Sequence, residues 1–322
     1  MSMRILMMGT GAFALPTFRA LCESDHKVVG LATQPDRTGR GHHHHPHPMK
    51  EYALEQGVPV FQPDDVNLPE SLSRLREFQA DLFVVAAYGQ ILSAELLSIP
   101  PRGAFNLHAS LLPKYRGAAP IQYAVWKGEE ETGVSIFRIE PKLDAGPILG
   151  VVRTPIGSDE TSGDLETRLA ELAAPLTLQV LSQIESDTTT TVMQDISAVT
   201  RAPKLQKTRG LVNWSRTAAQ IDCQIRAMQP WPMPYTFLHA EGRPVQRLLI
   251  LQIRPTDGSS DLSTIAGEVL PSPPGRLFVR CGDGAVEVLR LQPAGKRAMA
   301  AEEFLRGHAV PSGARFGGEV LA

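Results

Sequence analysis

Short apolar runs alternate with amphipathic stretches over the first third of the chain. The apolar runs predict strands, and the stretches between them, which carry apolar residues at helical spacing, predict helices. This alternation favours an α/β fold in which right-handed crossovers connect the strands of a mostly parallel sheet. The predicted strands are residues 3–8, 26–33, 81–87 and 104–107, and the predicted helices are residues 13–22, 49–56, 68–78 and 93–97.

Two further strands, at residues 133–138 and 148–154, and a long helix at residues 161–184 are predicted next. The following stretch, residues 185–209, is rich in Thr, Ser, Asp and Lys and has little apolar periodicity, as is typical of a linker. The chain up to this stretch therefore forms one predicted domain.

The pattern after the linker is different. One helix is predicted at residues 217–228, and short apolar runs separated by Gly and Pro then indicate a small β-barrel. The predicted barrel strands are residues 245–253, 266–270, 276–280 and 286–291. We predict a first domain at residues 1–190, a linker at 191–208 and a barrel domain at 209–322.

Length and composition agree with a folded two-domain protein. The chain has 322 residues, of which 43% are hydrophobic and 20% charged, as in ordinary globular proteins. Its three cysteines, Cys22, Cys223 and Cys281, are widely spaced, which argues against a disulfide framework and suits a reducing compartment. No segment has the pattern of a signal peptide or a membrane span. We therefore expect a cytoplasmic protein with no membrane partner.

Charge is distributed unevenly along the chain. The formal net charge is −2, but residues 207–322 hold 14 Lys and Arg against 10 Asp and Glu, and residues 1–206 carry a net −6. A surplus of this size fits either an ordinary solvated surface or a phosphate-binding face.

A glycine-rich turn, Gly9 to Ala14, follows the first predicted strand and opens a helix. With Asp36 downstream, it satisfies the loose pattern of a dinucleotide-binding site. The alternative is a turn that serves only the packing of the helix on the sheet.

Asn106 and His108 lie at the end of a predicted strand, at the sheet edge where open α/β sheets bind ligands. The two-residue period of a strand places both on one face. An amide donor beside an imidazole suits acyl chemistry, in which one group binds an oxyanion and the other moves a proton. One alternative is a polar pair that only forms hydrogen bonds within the protein. A second alternative is a Ser/His/Asp hydrolase, because Ser110 lies on the same face, although Ser110 lacks the tight glycine turn that such a nucleophile usually occupies.

Two loops could complete this site. Residues 110–121 are rich in Pro, Gly and small side chains, so their backbone could approach a planar ligand closely. The turn Leu143-Asp144-Ala145-Gly146 could return a carboxylate to His108, although Asp in a turn often caps only the backbone.

Five segments together resemble the methionyl-tRNA formyltransferase family. They are FNLHASLLPKYRGAAPI at 105–121, TQPDRTGRG at 33–41, LDAG at 143–146, IRAMQPWPMPY at 225–235 and GKRAMAAEEFLRG at 295–307. The resemblance implies a Rossmann-like formyltransferase domain followed by an OB-like β-barrel domain that helps to hold tRNA. It also argues against a nicotinamide cofactor.

The same resemblance implies the site residues and the substrates. Asn106, His108 and Asp144 would be catalytic, and Ser110, Leu111, Leu112 and Pro113 would be part of the folate site. The expected reaction transfers the formyl group of 10-formyltetrahydrofolate to the α-amino group of methionyl initiator tRNA, for translation initiation. We expect no metal cofactor and a monomeric protein.

One loop departs from the family pattern. The family usually continues with lysines after the TQPDRTGRG motif at 33–41. Here Arg40 of that motif is kept, but the residues that follow are His42, His43, His44, His45 and His47. Neutral imidazoles attract phosphate weakly above pH 7. A tRNA contact, an adventitious metal site and a plain solvated loop all remain open.

Two other functions use the same features. A related formyltransferase or a formyl-folate hydrolase would act on a small amine or water with the same three side chains. A tRNA-binding protein without catalysis is the non-enzyme alternative, which the presence of Asn106, His108 and Asp144 disfavours.

Overall fold

The computed structural model describes residues 2–36, 48–256 and 265–320. Arg40 and the histidines at 42–47, for which a tRNA contact or a metal site was considered, lie outside these residues. The chain divides into two compact units. The first unit comprises Met1–Pro120, Glu131–Pro155 and Asp164–Pro203, and the second comprises Ile121–Glu130, Ile156–Gly163 and Lys204–Ala322.

A seven-stranded sheet forms the centre of the first unit. Neighbouring strands among β1 to β5 pair in parallel, whereas β6 pairs antiparallel with both β5 and β7. The strand order is β3-β2-β1-β4-β5-β6-β7, which confirms the mostly parallel sheet. The strands are β1 (Arg4–Gly9), β2 (Lys27–Ala32), β3 (Val60–Phe61), β4 (Leu82–Ala86), β5 (Ala104–His108), β6 (Glu131–Arg138) and β7 (Ile148–Pro155).

Helices separate these strands along the chain. Every residue of β4 is buried, as expected for a central parallel strand that is covered on both faces. On α3, Leu72 and Leu75 are buried, whereas Arg74 and Arg76 are exposed, so this helix packs through one apolar stripe. The helices are α1 (Leu15–Glu23), α2 (Pro48–Glu55), α3 (Pro69–Glu77), α4 (Ala94–Leu97), α5 (Pro120–Lys127) and α6 (Ser162–Glu185).

The elements predicted for residues 1–107 are confirmed to within two residues at each end. The sequence pattern missed the two-residue strand β3 and the helix α5. Residues 121–130, which include most of α5, and residues 156–163 belong to the second unit, although both segments lie inside the predicted first domain.

The second unit contains an antiparallel sheet in the order β10-β11-β9-β8-β13, with β12 paired to β11. Isolated bridges from Glu268 to Arg315 and from Val269 to Val279 connect the two edge strands, so the sheet closes into the predicted OB-like barrel. The elements are α7 (Ala218–Ala227), β8 (Tyr235–His239), β9 (Gln246–Thr256), β10 (Leu277–Cys281), β11 (Gly284–Pro293), β12 (Met299–Ala300), α8 (Ala301–Gly307) and β13 (Arg315–Gly317).

The strand predicted at residues 266–270 was wrong as a strand, because only these two bridges form there. Gly267 adopts φ +89°, in the left-handed region that interrupts a regular strand. The strands β8, β12 and β13 and the helix α8 were not predicted.

Buried side chains of α7, α8 and the strands form the core of the barrel, in which Phe304 of α8 is fully buried. The buried Trp214 donates from Nε1 to Thr236 Oγ1 (3.0 Å), and Thr236 donates in turn to the Gly317 carbonyl (3.2 Å). The indole therefore enters the core without an unpaired donor.

Residues 191–203, within the predicted linker region, belong to the first unit. Val192 exchanges two backbone hydrogen bonds with Ile148 (2.8 and 2.9 Å), and Arg201 forms a bridge with Arg116. No helix in the described ranges is long and apolar enough to cross a membrane.

A charged cluster on the barrel generates a stability prediction. The Glu287 carboxylate, buried on β11, accepts two hydrogen bonds from Arg276 (2.6 and 2.7 Å) and lies 3.5 Å from Arg254. The hydrogen bonds from Arg276, opposed by burial, hold the pKa of Glu287 below its ordinary value. Glu287→Gln should therefore lower the Tm of the second unit by roughly 2–6 °C at pH 7 in a thermal melt.

The pH dependence has a defined sign. A depressed carboxyl pKa stabilises the folded state above the ordinary value near 4.3, and this stabilisation disappears as the carboxylate protonates in acid. The difference in Tm between the parent and Glu287→Gln should thus become smaller as the pH falls below about 4.3. Glu303→Gln is the control, since its partner Arg297 is exposed and the pair lies on the surface. An equal effect of both variants would contradict the prediction.

Candidate active site

The strand β5 presents Asn106 and His108 on one face at its carboxyl end. Asn106 pairs with Val85 of β4 and with Phe137 of β6, so the backbone on both sides is fixed by the sheet. The Asn106 side chain is half-buried and makes no hydrogen bond with any residue that the structure describes. Its amide is therefore available to a ligand.

His108 is held in one tautomer by its surroundings. The ring is only 5% exposed, and Nε2 lies 2.9 Å from the Tyr115 carbonyl oxygen. Because a carbonyl only accepts, Nε2 carries the proton of the neutral ring and Nδ1 keeps its lone pair. Nδ1 lies 3.8 Å from Asp144 Oδ2, too far for a direct hydrogen bond.

The loop between β6 and β7 brings Asp144 to this position. β6 ends beside the start of β5, where Arg138 pairs with Phe105, so the loop must cross back along β5 to reach His108. The same oxygen, Asp144 Oδ2, accepts a hydrogen bond from the Gly117 backbone N–H (2.8 Å), which holds the carboxylate in place.

Gly117 is required at this point by its conformation and its surroundings. It adopts φ +127°, and a Cβ there would lie 2.5 Å from the Ala202 carbonyl oxygen. The backbone can thus approach Asp144 only with glycine at this position.

The pKa of His108 lies below its ordinary value. Burial is the largest cause, and the nearby Arg116 guanidinium acts in the same direction. The Asp144 carboxylate and the hydrogen bond to the Tyr115 carbonyl oppose this shift without overcoming it. The imidazole is consequently a neutral base near pH 7.

The loop Ser110 to Pro113 begins two residues after His108 and is held in place by hydrogen bonds to β6. Ser135 Oγ accepts from the Leu112 backbone N–H (3.1 Å) and donates to the Ser110 carbonyl (2.7 Å). Leu111 and Pro113 are half-buried, and the Leu112–Pro113 peptide bond is cis. The Ser110 hydroxyl donates to the Lys114 carbonyl (2.7 Å), which disfavours the hydrolase alternative because the serine faces its own loop.

The glycine turn and Asp36 have contacts of their own. The glycine turn connects β1 to α1, and a Cβ on Gly9 would lie 3.0 Å from both Ala14 and the Ala86 carbonyl oxygen, as in a close-packed turn. The Asp36 carboxylate forms an ion pair with Lys50 and accepts from Gln62 Nε2. Within the described residues, no group of three or more His, Cys, Asp or Glu side chains could hold a metal.

Comparisons with known proteins identify the family. The formyl transferase model matches residues 3–181, and the model of the formyl transferase C-terminal domain matches residues 204–309. The methionyl-tRNA formyltransferase of Methylococcus capsulatus is 43% identical over 323 residues, which cover 98% of this chain and 100% of that protein. The methionyl-tRNA formyltransferase of Rhodopirellula baltica is 41% identical and covers 97% of this chain and 96% of that protein. The chain belongs to the methionyl-tRNA formyltransferase family.

The motif resemblance in the sequence is thereby confirmed, and the chain is an enzyme of the formyltransferase class. A solved N-formyltransferase of Helicobacter canadensis, in complex with folinic acid and dTDP-3-aminofucose, superposes with a TM-score of 0.64. The superposition covers 89% of this chain and 98% of the solved protein at 18% identity, so the likeness shows a common fold.

Sequence reasoning missed three residues of this candidate site. Ser135 supports the loop after His108, Arg116 adds a buried positive charge, and Gln194 hydrogen-bonds to Arg116 and to the Asp144 carbonyl. Arg116 lies inside the motif at 105–121, but nothing in the sequence pattern indicates that its side chain is buried. Gln194 lies in the stretch without periodicity, so no local signal could have found it.

The electrostatics of His108 give a prediction that nuclear magnetic resonance can check. The ring should titrate with a midpoint below 6.5, the ordinary histidine value, because burial disfavours the imidazolium. Asp144→Asn should move the midpoint lower still, because it removes the charge that favours the imidazolium. A midpoint above 6.5, or an upward shift in Asp144→Asn, would contradict the assigned balance between the burial of His108 and the charge of Asp144.

Proposed function

We propose that the chain transfers the formyl group of 10-formyltetrahydrofolate to the α-amino group of methionyl initiator tRNA. Relatives of that name, 40–43% identical over at least 95% of this chain, support the activity. The observation that carries the mechanism is the pair His108–Asp144 beside an unpartnered Asn106 amide at the end of β5.

His108 is proposed as the proton carrier. An α-amino group has an ordinary pKa near 8, so about a quarter of it is neutral near pH 7.5. This fraction needs positioning more than activation. His108 accepts a proton from the attacking amine at Nδ1, the nitrogen that the Tyr115 contact leaves unprotonated. It then releases this proton toward the leaving nitrogen of the folate, and Asp144 stabilises the imidazolium in between.

Asn106 is proposed to stabilise the oxyanion that develops on the formyl oxygen. Its amide makes no hydrogen bond among the described residues and is anchored on a strand, so little reorganisation is needed. Donors in this role contribute roughly 10²- to 10³-fold to turnover in other acyl-transfer enzymes. No step of this chemistry is assigned to a metal ion.

Ser110, Leu111, Leu112 and Pro113 are proposed to hold the folate. When bound, 10-formyltetrahydrofolate supplies the formyl carbon that the amine attacks. The half-buried side chains of Leu111 and Pro113 fit the flat face of the folate ring system, and the Asn106 amide fits the formyl oxygen that must lie nearby. Ser135 keeps this loop in place through its two hydrogen bonds.

The second unit is proposed to bind the tRNA, and the first to carry the folate site. Support comes from the small positive surplus of this unit, which holds 16 Lys and Arg against 14 Asp and Glu while the first unit carries a net −4, and from exposed arginines that lie over aromatic rings. Arg247 lies 4.4 Å from the centroid of Tyr235, and Arg209 lies 5.7 Å from that of Trp126. A monomeric state, a cytoplasmic location and the domain limits 1–190, 191–208 and 209–322 stay predictions.

The catalytic assignment makes a direct prediction. Asn106→Ala and His108→Ala should each lower kcat by roughly two orders of magnitude or more, measured with charged initiator tRNA and 10-formyltetrahydrofolate. The physical reason is the loss of the oxyanion donor or of the proton carrier, whereas the fold should persist.

The matched control is His239→Ala. His239 also bonds to a backbone carbonyl through Nε2 (Gly318, 2.8 Å), but it lies in the second unit. Its replacement should leave kcat at saturating substrates within about twofold of the parent. Near-parental turnover in either folded site variant would rule out the assigned roles.

The tRNA assignment makes a second prediction. Arg209→Ala and Arg247→Ala should each weaken tRNA binding about fivefold to tenfold near 0.1 M salt and reduce the slope of log affinity against log salt by about one. Filter binding at several salt concentrations measures both quantities. The full chain is needed, because truncation near residue 206 would leave 121–130 and 156–163 without the rest of their unit.

Arg74→Ala in the first unit is the control, since Arg74 already pairs with Glu77 on α3. It should change neither affinity nor slope. If Arg209 and Arg247 variants behave like this control, the second unit does not bind the tRNA through these side chains.

A further inference from the structure

The segment 191–203 contacts the loops around His108 at several points. The Thr200 side chain accepts a hydrogen bond from the Tyr115 N–H (2.8 Å), and its carbonyl accepts one from the Arg116 N–H (3.0 Å). The Ala202 N–H donates to the Arg116 carbonyl (2.8 Å). Tyr115 is the residue whose carbonyl fixes the His108 tautomer, so this segment supports the site directly.

Gln194 joins the two loops that hold His108 and Asp144. Its Oε1 accepts hydrogen bonds from Arg116 Nε (3.1 Å) and Nη2 (2.6 Å). Its Nε2 donates to the carbonyl oxygens of Asp144 (3.0 Å) and Gly146 (2.7 Å). Both lone pairs and both N–H groups of the amide are therefore used.

Only an amide satisfies both sides of this contact. A carboxylate at residue 194 would still accept from Arg116, but its second oxygen would face two carbonyl oxygens with no proton to donate. An apolar side chain would satisfy neither loop. The chemistry of the two partners thus selects glutamine.

The loops need such support because their backbones are strained. Tyr115 adopts φ +61° and Asp144 adopts φ +46°, and a non-glycine residue in this left-handed region persists only when its surroundings hold it there. Both residues contact His108, one through its carbonyl and the other through its carboxylate.

We propose that Gln194 is a positioning residue for formyl transfer, because its amide fixes the Asp144 turn against Arg116 and so holds the carboxylate beside His108. The proposal rests on the proposed function, since Gln194 acts through Asp144 and touches no reacting atom. A displacement of about 1 Å in a catalytic group can lower turnover by up to about 10²-fold.

The first test compares Gln194→Met with Gln194→Glu in the full-length enzyme. Both should lower kcat about 10- to 100-fold while the KM values for folate and tRNA stay within about threefold. Gln194→Glu keeps the acceptor for Arg116 and loses only the donors to the turn. Near-parental kcat in Gln194→Glu would overturn the proposal, because anchoring Arg116 would then be the whole role. If Gln194→Met does not fold, Gln194→Glu carries the same test alone.

The second test is a double-mutant cycle with Asp144→Ala. In that background Gln194→Met should lower kcat by less than about twofold, since the carboxylate it positions is gone. An unchanged 10- to 100-fold loss would overturn the proposal. If Asp144→Ala alone retained parental turnover, the proposed catalytic role of Asp144 would fail instead, which is a distinct result.

Met193→Ala is the matched control. Met193 is the exposed neighbour of Gln194 in the same segment, so its replacement should leave kcat within about twofold of the parent. A loss in Met193→Ala equal to that in Gln194→Met would overturn the proposal, because any disturbance of the segment would then be sufficient.

Discussion

His108 is buried at the end of a central strand, between a carbonyl that fixes its proton and a carboxylate that faces its lone pair. Burial makes the imidazolium unfavourable, and Arg116 adds to this effect, so the ring is neutral near pH 7. A neutral ring whose proton sits on Nε2 can accept a proton only at Nδ1. The proton transfer proposed for His108 therefore depends on how firmly this ring and the Asp144 carboxylate are held.

The sheet and the loops share this task. β5 lies between β4 and β6, so the backbone under Asn106 and His108 is paired on both sides. The partners of His108 come from loops whose residues adopt left-handed conformations, and such loops are stable only with fixed contacts. Ser135 of β6 forms hydrogen bonds with the loop after His108, and the segment 191–203, at the C-terminal end of the first unit, forms hydrogen bonds with Tyr115.

The second unit is organised by different forces. Two bridges from residues 268 and 269 connect the edge strands of its sheet, which nearly closes the barrel and shortens the unpaired edges that would otherwise favour association. Its core depends on apolar side chains from α7, α8 and the strands, and its charges lie mainly outside this core. An arginine stacked on an aromatic ring keeps its charge and its planar donors in fixed positions, which suits contacts with a phosphate backbone.

The sequence alone determined the local structure and the family. Apolar periodicity located the strands and helices of residues 1–107 except the two-residue strand β3, because each depends on side chains close in the chain. The two-residue period of a strand placed Asn106 and His108 on one face. It also supplied the motifs of the formyltransferase family. Tertiary structure alone decided three further features: the antiparallel direction of β6 and β7, the return of Asp144 to His108 and the contacts of Gln194. Each depends on contacts between groups far apart in the chain, and a local pattern of polar and apolar residues carries no information about such partners.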